Sequence, residues 1–178
     1  MQWYEKLNDY FPEHEMKDPG QLKTLLETSP YYHKEETADY LVLFAEFPTF
    51  IFIDYFLVNS KNRGRGIGSK LLDQFKQKGK LILLEAEPID VDDEDTQKRM
   101  KFYLRNGFKK ADRIRYTRED ENGQSFEMNI LYWPPFEEDQ TVIMEKMRKA
   151  CSEIHNFHSL RFYGRKLADP DETLEWKH

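Results

Sequence analysis

The nine residues from Phe50 to Val58 constrain this chain more than any others. On a two-residue period, Phe50, Phe52, Phe56 and Val58 share one face, and Ile51, Ile53, Tyr55 and Leu57 share the other. A strand that is apolar on both faces has to be covered on both, which predicts a central strand of an α/β sheet. Tyr40–Phe47 is almost as apolar. Pro48-Thr49 between the two runs predicts a pair of strands joined by a tight turn.

Composition would otherwise suggest a poorer core. Charged residues make up 34% of the 178, against about 25% in an average domain. Aromatic residues at 15% argue the other way, since disordered chains lack them. The longest apolar runs fall far short of the roughly 20 residues that span a bilayer. Glu5, Asp9 and Glu13 leave no room for a signal-peptide apolar core. The single cysteine cannot form an internal disulfide, which fits a cytoplasmic protein. A net charge of −6 argues against nucleic acid, because neutralising phosphates needs a basic surface.

The rest of the chain divides readily. Trp3–Phe11 reads as an amphipathic start stopped by Pro12, and Gly20–Thr28 as a helix with Leu22, Leu25 and Leu26 at helical spacing. Ser69–Gly79 and Thr96–Asn106 are predicted helices that run into Gly79 and Gly107. Leu81–Glu87 is a strand closed by Pro88. Arg113–Arg118 and Phe126–Trp133 flank Asn122-Gly123, a strong hairpin signal. Glu137–Phe157 carries Ile143, Met147, Ala150 and Ile154 at helical spacing, and residues 159–178 are weakly patterned. The division expected is a main domain over residues 1–135 and a helical extension over 136–178. The apolar stripe of the extension packs on its own chain or on a second subunit, as in a homodimer.

The chemistry concentrates after the central strand, in Arg63-Gly64-Arg65-Gly66-Ile67-Gly68 followed by a helix from Ser69. Glycines allow close backbone approach, the helix start offers free N–H groups, and arginine suits phosphate oxygens. This reads as an anion site, most naturally for a pyrophosphate; the alternative is a flexible loop with stray arginines. A phosphate-binding P-loop needs a Gly-Lys-Ser/Thr ending that is missing. A dinucleotide fingerprint needs a third glycine where Ser69 stands, although Glu85 falls where its ribose-binding acid would sit.

Arg63-x-x-Gly66-x-Gly68 resembles the acyl-CoA signature of the GNAT N-acetyltransferase superfamily, and Phe102-Tyr103-Leu104-Arg105-Asn106-Gly107-Phe108 resembles its second hallmark. Gln2–Leu7 and Leu131-Tyr132-Trp133 are similar to a group of such proteins from low-GC Gram-positive bacteria. The resemblance covers roughly residues 20–133. It implies an α/β (α+β) fold with a mixed, mostly antiparallel sheet flanked by helices, and acetyl-CoA as co-substrate. It also implies N-acetylation of a small-molecule or peptide primary amine by direct attack in a ternary complex. The alternative is an acyl-CoA-binding or regulatory module without catalysis.

The resemblance further implies that Arg63, Gly64, Arg65, Gly66, Ile67, Gly68 and Ser69 hold the CoA pyrophosphate. The edge at Leu57 and Val58 would pair with the pantetheine arm. Thr96 occupies a position that is often Asn and a CoA contact in the family. Tyr103 would be the general acid, although its spacing with Met100 and Leu104 equally suits a core residue. Glu85 and Glu87 share a strand face with Leu81 and Leu83. A carboxyl at the end of a buried strand can have a raised pKa and collect a proton from an ammonium. Otherwise the pair caps the strand in solvent. Asp54 is a weaker rival, better read as a hydrogen-bonded structural group.

No metal is expected. The acidic run from Asp90 to Asp95 lacks the glycine and glutamate of a calcium loop and reads as a solvated loop capping a helix. Its minority reading is attraction of a cationic amine. Cys151, His155 and His158 would share one helix face, but no fourth zinc ligand is evident.

Overall fold

The structure is a computed structural model that describes residues 1–178. Its strands are β1 (Tyr32–Glu36), β2 (Tyr40–Glu46), β3 (Phe50–Val58), β4 (Leu81–Ala86), β5 (Lys109–Lys110), β6 (Ile114–Glu119), β7 (Ser125–Trp133) and β8 (Leu174–Trp176). The helices are α1 (Gln2–Tyr10), α2 (Pro19–Thr28), α3 (Ile67–Lys76), α4 (Glu94–Arg105), α5 (Gln140–Ala150), α6 (Ser159–Tyr163) and α7 (Pro170–Thr173). The strands form one sheet in the order β1-β2-β3-β4-β7-β6-β8, with β5 also on β7. Every pairing is antiparallel except β3 with β4.

The parallel pairing of β3 and β4 lasts from Phe50↔Leu81 to Ile53↔Leu84 and then stops. Beyond it β3 runs on to Val58 with β2 as its only partner, while β4 stays with β7. The two central strands therefore part at their C-terminal ends, and a cleft opens between them.

At the same place β2 and β3 slip by one residue, Leu43 facing Tyr55 and Phe44 facing Ile53. Asp54 is the extra residue of this bulge, and a bulge reverses the alternation that follows it. The faces expected from sequence are thus wrong past Asp54. Tyr55 and Leu57 join Phe50 and Phe52 on one side, and Phe56 joins Ile51 and Ile53 on the other.

The first side is covered by α1, α2 and α5 through Leu7, Leu22, Leu25, Ile143 and Met147. The second is covered by α3 and α4 through Leu71, Leu72, Phe75, Met100 and Tyr103. Local chemistry sets the helix limits. Asp18 accepts from Gly20 N–H at 2.7 Å ahead of Pro19, and Asp139 accepts from Thr141 N–H at 2.8 Å.

Residues 136–178 share the core of the rest of the chain and return β8 to the sheet against β6. Helix α5 stops at Ala150, a π turn spans Cys151–His155, and His158 takes a left-handed φ of 48°. The single helix face expected for Cys151, His155 and His158 does not exist. Cys151 and His155 are buried and His158 is exposed.

Candidate active site

The cleft between the parted strands holds about 820 Å³. Its walls are β3 and β4, the loop after β3, the start of α3, one face of α4, and the segment joining α1 to α2. The loop after β3 forms a short turn, Ser60–Asn62, in which Asn59 accepts from Lys61 N–H. Gly64 and Gly66 take φ of +83° and +77°, a conformation costly to other residues. The first bond of α3 runs from Lys70 N–H to the Gly66 carbonyl. The amides of Ile67, Gly68 and Ser69 are left without backbone partners at the positive end of the helix dipole.

Gly68 is needed for packing. A Cβ there would sit 2.9 Å from Phe102 Cζ and 3.4 Å from Val58 Cγ2. Gly66 faces open space, so its constraint is conformational alone. Gly66→Ala is expected to cost about 1–2 kcal/mol, read as a fall of roughly 2–8 °C in thermal midpoint. An unchanged midpoint would show that the loop adopts another path at no cost.

The structure does not bring together all of the residues singled out from sequence. Arg63, Gly64, Gly66, Ile67, Gly68 and Ser69 line the cleft, as do Val58, Glu85, Glu87 and Tyr103. Arg65 is exposed and lies outside it. The Leu57 side chain packs toward the opposite core, because the bulge turns it there. Thr96 does not reach the cleft. Its Oγ1 accepts from Asp90 N–H at 2.9 Å and donates to the Asp93 carbonyl at 2.7 Å, closing the acidic loop onto α4. Lys98, Arg99 and Arg105 add cationic groups that sequence reasoning missed. The Arg63 and Arg99 guanidinium carbons lie 4.9 and 5.3 Å from the centre of the Tyr10 ring.

Tyr103 projects from α4 among Phe56, Phe102 and Phe108, at ring separations of 6.3, 5.2 and 5.7 Å. Burial raises its pKa well above that of a free phenol, so the hydroxyl stays protonated and can only donate or accept a hydrogen bond.

Glu85 has a different role from the one expected. Its carboxylate is buried and accepts from Arg118 Nη1 at 2.9 Å, Tyr116 OH at 3.0 Å and His155 Nε2 at 2.5 Å. Burial would raise its pKa, but His155 and Arg118 outweigh burial and hold it well below the usual carboxylate range. The raised pKa expected of a buried strand end is reversed, and such a carboxylate is a poor base. Burial and then Arg118 push His155 down to about 4, so at neutral pH it is a neutral donor to Glu85.

Asp54 is likewise engaged, with Lys17 Nζ at 2.7 Å and Tyr32 OH at 2.6 Å, both partners buried. Glu87 is less confined, its side chain 16% exposed and 3.7 Å from Arg99 Nη1. Beside it stands Glu15, from the turn between α1 and α2, which nothing in the sequence pattern marks. Burial and then Glu87 raise the Glu15 pKa to about 9.

His14, Glu15 and Glu87 offer ligand atoms within 4.8 Å of one another. The Arg99 guanidinium supplies positive charge beside Glu87.

Comparison with known proteins bears on the family and the fold. The Acetyltransferase (GNAT) domain family matches residues 30–110. The chain is 45% identical over 177 residues to the Bacillus subtilis (strain 168) protein named "Putative acetyltransferase YjbC", covering 98% of this chain and 92% of that one. A GNAT-family protein from Bacteroides thetaiotaomicron superposes with a TM-score of 0.67 at 20% identity, over 93% of this chain and 92% of that one. Arabidopsis thaliana NAA60, solved with a bisubstrate analogue, gives 0.55 at 12% identity, over 74% and 90% of the two chains. These two support the fold. With the relationship to YjbC and the domain match, the chain belongs to the GNAT family of acetyltransferases.

Proposed function

We propose that the protein transfers the acetyl group of acetyl-CoA to a primary amine by direct attack in a ternary complex. The observation that carries this reading is the cleft itself, where an unpaired β3 edge leads from Ile53 past Val58 to the open amides of α3. The fit to acetyl-CoA rests on that cradle. Ile67, Gly68 and Ser69 present N–H groups to a diphosphate, with Arg63 beside them, and the free edge of β3 suits an extended amide-bearing arm. Acetyl-CoA supplies the thioester. A β3 amide polarises its carbonyl as an oxyanion-hole donor does.

The amine attacks as a neutral nucleophile, forming the C–N bond as the C–S bond breaks. The Tyr103 hydroxyl donates a hydrogen bond to the departing sulfur. A thiol pKa near 8.5 lies below the value near 10 of a tyrosine phenol, so stabilisation of the thiolate outweighs full proton transfer. The acceptor is a small-molecule or peptide amine. A net charge of −6 disfavours nucleic acid, and no helix is long and apolar enough to cross a membrane.

Calorimetric titration with acetyl-CoA, followed by thiol release with a panel of primary amines, tests the reading. Binding and amine-dependent thiol release are expected. Binding with no turnover on any amine would instead identify an acyl-CoA-binding module without catalysis. Absence of acetyl-CoA binding would overturn both.

A further inference from the structure

Two carboxyl groups in the cleft wall, Glu15 and Glu87, engage each other and leave one oxygen of each otherwise unpaired. Glu15 Oε2 and Glu87 Oε1 are both buried and accept no hydrogen bond from the protein, and the Arg99 Nε–H beside them is also unpaired. The two side chains come from separate elements, Glu15 from the turn at residues 13–15 and Glu87 from just past β4. They meet within 4.8 Å in the same cleft as Tyr103 and the glycine loop. Two carboxylates so close, each with one oxygen buried, repel one another unless a proton or a cation sits between them. The other charged or titratable groups around the pair are Arg99 from α4, Arg118 from β6, Tyr10 from α1 and His14 in the same turn. Arg99 and Arg118 lower the Glu15 pKa, but burial and Glu87 prevail, and Glu15 keeps its proton at neutral pH.

We propose that Glu15 and Glu87 form the subsite for the acceptor's ammonium group, Glu15 giving up its proton as the cation docks and the pair taking one back as the amine attacks. The proposal rests on the acetyl-transfer reading and names the acceptor it selects, a primary amine presented as its ammonium ion.

The protons balance over the cycle. Docking of R–NH3⁺ releases the Glu15 proton to solvent. The ammonium then gives one proton to the pair, and the neutral amine forms the C–N bond as the C–S bond breaks. The second nitrogen proton goes to the CoA thiolate, with Tyr103 holding the sulfur. The products are R–NH–CO–CH3 and CoA-SH, and the pair is back in its singly protonated resting state. The net proton of the reaction is the one lost on docking. A lone carboxylate at this position would bind the ammonium without that exchange.

The test reads the exchanged proton. Acetyl-CoA binding is measured first. Protein saturated with CoA is then titrated at pH 7 with n-butylammonium, in phosphate and in MOPS, and the difference in heat gives the protons released. The wild type is expected to release close to one proton per cation bound. Glu15→Gln is expected to bind the cation about tenfold or more weakly and to release none, since a charged hydrogen bond is lost. Glu87→Gln is expected to weaken binding similarly, and it also removes one of the causes that raise the Glu15 pKa.

The proposal is overturned if wild-type protein fails to bind n-butylammonium at millimolar concentration, binds it without releasing a proton, or if Glu15→Gln still releases one. The cation titration can be run on protein without CoA. Failure of acetyl-CoA to bind would therefore remove the acetyl-transfer reading while the behaviour of the pair was still measured.

Discussion

Replacing Arg118 with methionine is expected to destabilise the fold by about 3–5 kcal/mol, the usual cost of leaving one member of a buried ion pair alone. For a chain of this size that is a fall of roughly 6–20 °C in thermal midpoint. The side chains of Glu85 and Arg118 are 7% and 8% exposed, and their contact of 2.9 Å joins β4 to β6 across β7. Tyr116 OH and His155 Nε2 complete the carboxylate's shell, so one anion ties together two strands and the turn after α5.

Methionine fills similar volume but leaves the charge uncompensated. Adding Glu85→Gln removes that charge and is expected to recover most of the loss. The deficit should also depend on pH, in a direction set by His155. Its depressed pKa means the wild type is fully stabilised above the ordinary histidine value near 6.5 and loses stability as pH falls toward about 4. Glu85, also depressed, adds a loss at still lower pH. Arg118 is one of the groups that hold His155 down. In the methionine variant His155 is therefore easier to protonate and becomes the counter-ion of Glu85. The gap between variant and wild type should narrow from pH 8 to pH 6. A loss under 1 kcal/mol at pH 8, or a gap that widens toward acid, would sink this account.

This buried cluster also marks where sequence reading stops. Short-range chemistry was legible. The apolar runs gave β2 and β3 as a hairpin, Asn122-Gly123 gave β6 and β7, and Gly107 at φ +87° ends α4 as its position predicts. Most of the glycine loop that the resemblance marked lines the cleft. Contacts between distant residues were not legible. Glu85 meets His155 across 70 positions and Lys17 meets Asp54 across 37, and no local pattern records either.

Three other misses have separate physical causes. Asp54 alone does not announce a bulge, yet the bulge reverses every side chain after it. Strand β1 is an edge strand, with His33, Glu35 and Glu36 exposed and Lys34 half-buried, and it lacks an apolar alternation to read. Glu15 sits in a three-residue turn whose place over the cleft is fixed only when α1 and α2 dock, which also determines its pKa.

Tyr103→Phe is expected to lower kcat for amine-dependent thiol release by about a hundredfold, within the range for removal of one hydrogen-bond donor to developing negative charge. The ring is held by Phe56, Phe102 and Phe108, and phenylalanine keeps those contacts. The change is therefore confined to the hydroxyl, and the thermal midpoint should move by no more than about 2–4 °C. A hydroxyl that only bridged core residues would show itself in stability. The phenol makes no hydrogen bond to the protein, unlike those of the buried Tyr32, Tyr55 and Tyr116. Its burial also excludes an ionised state that could act as a base at neutral pH. What remains is donation to negative charge that appears during the reaction. An interaction made only in the transition state lowers kcat and kcat/KM together and leaves KM in place. Acetyl-CoA affinity measured by calorimetry should accordingly stay within about threefold. A variant that keeps full turnover returns Tyr103 to the core, and one that loses affinity and rate alike makes it a binding residue.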